Sequence, residues 1–163
     1  MKKVHNITSI GILTAVAMIL SYIELLLPPI YAAIPGIKVG LPNIVIIYAL
    51  YSLGTKRAAA VSFIRLTLSA LLFNPSTFIY SLAGAVLSLA IMALLKKSAL
   101  FSTVGVSIAG GVLHNLGQIL VAICLLETVE IGYYMFVLAI SGTLAGVFIG
   151  IAAGFIIDRI KKH

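Results

Sequence analysis

The chain has 163 residues, 62% of them hydrophobic and 9% charged, with a formal net charge of +7. A mean hydropathy of +1.22 leaves too little polar surface to cover a water-soluble globule, which points to an integral membrane protein. The length fits a single membrane domain, 1–163, and the placement of the basic residues at the edges of apolar runs argues against a nucleic-acid partner.

The apolar runs predict six transmembrane helices, at 7–27, 40–54, 57–73, 76–95, 99–126 and 132–157. Barrel strands are not expected, because the runs do not alternate polar and apolar residues. The first run follows Lys2 and Lys3, and "YAA" could be mistaken for a cleavage site. The run is longer than the apolar region of a signal peptide, about 7 to 15 residues, so a retained span is expected. It carries Gly11, Thr14, Ala15, Ala17 and Ser21, small residues suited to packing within the bundle or against another subunit.

Next comes "LPPIYAAIPGIKVGLPN", 27–43, which reads as an extended or re-entrant segment or as an ordinary outer loop. The second run is too short to cross a bilayer upright at ~1.5 Å per residue. A short, proline-interrupted segment of this kind points toward a binding site in transporters. The sixth run holds Gly142, Gly146, Gly150 and Gly154 at a spacing of four, one smooth stripe for close helix packing. "SLAGAVLSLAIMALLKK" from 81 also aligns without gaps to "TLAGVFIGIAAGFIIDR" from 143. Cys124 lies inside an apolar run and reads as a small buried hydrophobe.

If the six spans alternate sides, Lys2, Lys3, Lys56, Arg57, Lys96, Lys97, Arg159, Lys161 and Lys162 all fall on one face. By the positive-inside rule that face is cytoplasmic, and so are both termini. The opposite face carries Glu24, Lys38, Glu127 and Glu130, and Arg65 alone remains inside the membrane.

Arg65 lies nine residues beyond Lys56, or ~13.5 Å along a helix, too deep to reach water easily. Ser62 and Ser69 share its face and mark that face as inward. Arg65 could grip an anionic ligand group, cap backbone carbonyls or pair with a carboxylate; no acid is expected at its depth, which favours a ligand or a lumen. In "SIAGGVLHNLGQILVA", 107–122, His114 and Gln118 share one helix face, while Asn115 points about 100° away. Interhelical hydrogen bonding, a proton relay and a ligand site are the three readings of this cluster. Neither a metal-binding set nor a Ser-His-Asp set nor a nucleotide loop is present in the sequence, so no catalytic residue, cofactor or metal site is assigned.

Four segments in order, "PGIKVGLPNIV" at 35–45, "RLTLSALLF" from 65, "YSLAGAVLSL" from 80 and "AGGVLHNLGQ" from 109, resemble the Gx transporter family. Its members often carry the name heptaprenyl diphosphate synthase component I, and they resemble the substrate-binding S components of energy-coupling factor transporters. The resemblance implies a six-helix protein of the cell membrane that binds a small ligand at its outer side. Partners so implied are the lipid bilayer, a shared transmembrane subunit and ATPases. It also implies docking through a small-residue face of the first helix, which here corresponds to Gly11, Ala15 and Ala17. With one aspartate, Asp158, the chain lacks the aspartate-rich motifs that resemblance to a catalytic prenyl synthase would require, so it is not expected to be an enzyme.

The expectation is therefore a substrate-binding transporter subunit for an anionic or an isoprenoid, quinone or vitamin-like ligand. Arg65 would neutralise charge, and Asn43, His114, Asn115 and Gln118 would read polar groups. The alternative is a noncatalytic membrane partner of a prenyl diphosphate synthase, quinone or electron-transfer module.

Overall fold

Glycine, proline and basic residues break the apolar runs, and helices form between the breaks. The computed structural model describes residues 2–26, 40–127 and 129–161. Among them stand six α-helices, α1 (Lys2–Leu26), α2 (Pro42–Leu53), α3 (Thr55–Leu72), α4 (Phe78–Ser98), α5 (Thr103–Leu126) and α6 (Tyr134–Lys161). Two 3₁₀ turns, Pro75–Thr77 and Val129–Tyr133, lead into α4 and α6. The described residues contain no strand. Of the proline-rich segment 27–43, all but the last four residues lie outside the described residues.

Four stretches are long and apolar enough to cross a membrane: Asn6–Leu26, Pro75–Ser98, Thr103–Leu126 and Val129–Ile160. That is fewer than the six spans expected. At 12 residues α2 reaches only ~18 Å, and α3 carries Lys56, Arg57 and Arg65 within 18 residues. The apolar side chains of the long helices point largely outward; Leu71, Phe136 and Phe155 are each more than 70% exposed. Such a surface needs lipid rather than water around it, and the chain is a membrane protein.

Despite its shortness, α2 is the hub of the core. Val45, Ile46, Ile47, Ala49 and Leu50 are all buried there, packed with Ala17 of α1, Ala58 and Val61 of α3, Met92 of α4, Val106 of α5 and Ile149, Ala153 and Ile157 of α6. Pro42 opens α2 at a position where its missing N–H costs nothing. Gly54, at φ +90°, closes it. The Gly54 N–H bonds to the Ala49 carbonyl at 3.1 Å rather than to that of Leu50. Lys96 of α4 takes up the Leu50 carbonyl, donating from Nζ at 2.6 Å while lying 5.2 Å from the centre of the Tyr51 ring. Lys96 thus ties the end of α4 to the end of α2, beside the start of α3 where Lys56 and Arg57 sit. The contact places the Lys96–Lys97 pair at the same end of the bundle as Lys56 and Arg57.

Helix α5 packs most extensively, between α4 and α6. Glycines allow both seams. A Cβ at Gly142, Gly146 or Gly150 of α6 would come within 2.9 Å of Gly111, Ile108 or Val104 of α5, so three of the four stripe glycines are there for close approach. Gly154 is different, with nothing within 4 Å. On the other seam Gly117 of α5 abuts Ala83 and Gly84 of α4. Gly84 and Gly146, which coincide when the two similar segments are aligned, therefore pack on α5 from its two sides.

Candidate functional site

The polar residues singled out in the sequence fall into two groups. One joins α1, α2 and α3. Arg65 is half-buried on α3, and its Nε is buried without a hydrogen-bond partner. The face it shares is inward, as expected: Ser62 is buried and the Ser69 hydroxyl approaches the Met18 sulfur of α1 at 3.6 Å. A second contact, the stacked rings of Tyr22 and Phe73, has the same sequence offset of 51 as Met18 and Ser69. One helical step of four residues further back, that register sets Thr14 of α1 opposite Arg65. The Thr14 hydroxyl is likewise buried with no partner. Two unsatisfied polar atoms thus occur at one level of one helix pair, and each is costly to leave so.

Glu24, two residues before the end of α1 and ten residues beyond Thr14, is not level with Arg65 on the helix but acts on it electrostatically. The same carboxylate accepts a hydrogen bond from the backbone N–H of Gly40. Gly40 has φ +77°, a left-handed conformation, and a Cβ there would meet Ile149 Cδ1 at 3.1 Å and Asn43 Nδ2 at 3.2 Å. Glu24, Gly40 and Asn43 therefore gather at the start of the half-length α2, within the electrostatic reach of Arg65.

The second group sits on α5, which makes no extensive contact with α3. His114 and Gln118 face α4, where a Cβ on Gly84 would lie 2.6 Å from the His114 carbonyl, 3.0 Å from its Nδ1 and 3.1 Å from Gln118 Cγ. Asn115 faces the other way and donates from Nδ2 to the Leu138 carbonyl of α6 at 2.7 Å. These three side chains line two helix seams. The structure does not gather them with Arg65 and Asn43 into one wall.

The residues read as a docking face also separate. Gly11 and Ala15 are exposed on α1, whereas Ala17 is fully buried in the core and takes no part in that face. Cys124, read as a buried hydrophobe, is exposed. No three His, Cys, Asp or Glu side chains come together among the described residues. Sequence reasoning took Thr14 only as a small packing residue and did not connect it with Arg65; its signal was a hydroxyl one turn before Met18.

Fold and site together define a helical membrane protein with a charged cluster set among its helices. The sequence profile of the family described as Heptaprenyl diphosphate synthase component I matches residues 13–156, and the chain belongs to that family. No curated protein matches the chain, and no solved structure does.

Proposed function

We propose that this protein is a substrate-binding subunit of a transporter, similar to an S component, spanning the cell membrane six times with both termini in the cytoplasm. Its ligand is small and bears an anionic group, the isoprenoid, quinone and vitamin-like classes being the candidates. The observation that carries this reading is the pair of buried, unsatisfied polar atoms, Arg65 Nε of α3 and Thr14 Oγ1 of α1. A guanidinium in a membrane bundle costs several kcal/mol or more unless charge or water meets it. Glu24 supplies part of that, and its oxygen is already engaged by Gly40. An incoming carboxylate or phosphate would satisfy both remaining donors at once. Asn43, half-buried on the first turn of α2, is placed to read a neighbouring polar group. His114 and Gln118 serve the α4–α5 seam in this reading. The exposed Gly11 and Ala15 face of α1 is left for the shared transmembrane subunit and, through it, the ATPases.

The experiment is mass spectrometry of small molecules retained by the purified wild type, Arg65→Ala and Thr14→Val. Loss of the same anionic compound from both variants supports the site, and unchanged retention in both removes it. The family match favours a second reading, a noncatalytic membrane partner of a prenyl diphosphate synthase, since the family's name describes one component of such an enzyme. Copurification from native membranes separates the two. ATPases in the complex support the transporter, and a synthase without ATPases supports the second reading.

A further inference from the structure

We propose, building on the anion site read at Arg65 and Thr14, that the rings of Tyr22 and Phe73 are the gate through which a ligand reaches those two residues, opening from the end of the bundle opposite the basic pairs. Helices α1 and α3 run in parallel at a constant offset of 51 residues, set by Met18 against Ser69 and by Tyr22 against Phe73. Carried in both directions by steps of four, that register makes a ladder of side-chain pairs along one seam. From the basic end its order is Ile10 with Val61, Thr14 with Arg65, Met18 with Ser69, and Tyr22 with Phe73. The two ends of the ladder differ. Val61 is fully buried and Ile10 packs against the core, so the seam is sealed below Thr14 and Arg65. Above them burial falls away: Thr14 is 6% exposed, Met18 and Ser69 are half-buried, and Phe73 and Tyr22 are 37% and 51% exposed. The way in therefore leads from the rings, which stand two steps of four residues, or ~12 Å, along the seam from the unsatisfied atoms.

The ring pair is built to close lightly. Its centroids are 6.1 Å apart with 27° between the planes, toward the upper end of the range of about 4.5–7 Å over which such pairs interact. Phe73 also sits where α3 runs out: its N–H bonds to the Ser69 carbonyl at 2.9 Å, and the N–H of Asn74 reaches the same carbonyl at 3.4 Å. Every residue from Leu71 to Thr77 is exposed, so the ring of Phe73 can swing without disturbing the core. Beneath the rings lies Met18, whose three rotatable bonds and soft thioether let it yield to a passing group and refill the seam behind it. The Ser69 hydroxyl, against that sulfur at 3.6 Å, offers a passing anion a donor one turn above Arg65. A ligand with a long prenyl chain would hold the rings apart. The gate thus favours a compact anion that fits within the ~12 Å between the rings and Thr14.

The test uses the full chain in nanodiscs, with Cys124→Ser removing the native thiol and Thr14→Cys placing a reporter at the foot of the seam. Intact-mass spectrometry follows modification of that thiol by the anionic reagent sulfonatoethyl methanethiosulfonate and by its cationic trimethylammonioethyl counterpart. Reaction should be slow while the rings are in place. Phe73→Ala and Tyr22→Ala should each speed it about tenfold for both reagents, the open population gained when one aromatic pair is lost. Phe73→Tyr, which keeps a ring, should keep it slow. Leu72→Ala on the same exposed turn and Ile10→Ala at the sealed end should leave the rate unchanged. An unchanged rate in Phe73→Ala, an equal acceleration by Ile10→Ala, or no reaction in any variant would overturn the gate. The two reagents report separately on the anion site. A preference for the anionic reagent that Arg65→Gln abolishes supports that site, whereas acceleration by Phe73→Ala without such a preference would keep the route and remove the anion site. Circular dichroism of each variant confirms that helix content is unchanged before rates are compared.

Discussion

Two glycine-to-alanine substitutions should move stability in opposite directions. At Gly117 an added Cβ would lie 2.8 Å from the Ala83 carbonyl oxygen and 2.8 Å from the Gly84 Cα, against an ordinary contact range of 3.4–4 Å. Both obstacles are backbone, so no side-chain rotation relieves them and α4 must move off α5 by more than half an ångström. Overpacking of this kind costs roughly 1–3 kcal/mol. Alanine returns ~1 kcal/mol through its higher helix propensity, leaving Gly117→Ala destabilised by about 0–2 kcal/mol. At Gly154 nothing lies within 4 Å, so only the propensity gain operates and Gly154→Ala should be more stable by up to ~1 kcal/mol. Thermal unfolding in detergent, followed by circular dichroism, should therefore place the two variants on either side of the wild type and several degrees apart. If Gly117→Ala melts at or above the wild type, the α4–α5 seam is looser than the glycine contacts require. If Gly154→Ala melts no higher than Gly117→Ala, the reasoning from local space fails altogether.

Asn115→Ala removes the donor to the Leu138 carbonyl and should cost about 1 kcal/mol in the same melt while leaving ligand retention unchanged, since Asn115 works at the α5–α6 seam. Replacing Ala17 by leucine overfills a fully buried position and should lower the melting temperature, whereas Ala15→Leu on the exposed face should leave it unchanged and, on the transporter reading proposed above, weaken copurification of the proposed ATPase partners.

How far the fold could be read from the sequence depended on which physical signal a residue carries in a membrane. The helices were legible because apolar runs end at Gly54, at the Asn74–Pro75 turn and at the lysines of 96–97, and each break stops a helix for its own chemical reason. Burial was not legible from hydrophobicity, because lipid and core are equally apolar solvents. On α1 every face is hydrophobic, and Ala15 and Ala17 look alike although one is exposed and the other fully buried. Polarity is a better guide, although small and large apolar residues occur on both sides. Ala17, Ala49, Ala58 and Ala153 are buried along with Thr14, Ser62, Ser88 and Ser107, while Leu71, Leu72, Phe136 and Phe155 face outward.

The same distinction explains what happened to the polar cluster on α5. The helical angle correctly separated Asn115 from His114 and Gln118, but an angle says nothing of which neighbour stands on each side. That depended on Gly84, Gly111 and Gly142, whose lack of a side chain draws α4 and α6 close enough to occupy both faces. Arg65 met no such glycine on α1. Its helix pair meets through side chains, Met18 against Ser69 and Tyr22 against Phe73, rather than through glycine. Close approach does not by itself consume every polar group, since Ser107 Oγ is buried without a partner beside Gly150 on the α5–α6 seam; what sets the α1–α3 pair apart is that its unused donor belongs to a charged guanidinium, whose burial costs far more than a hydroxyl's and gives an anionic ligand something to find.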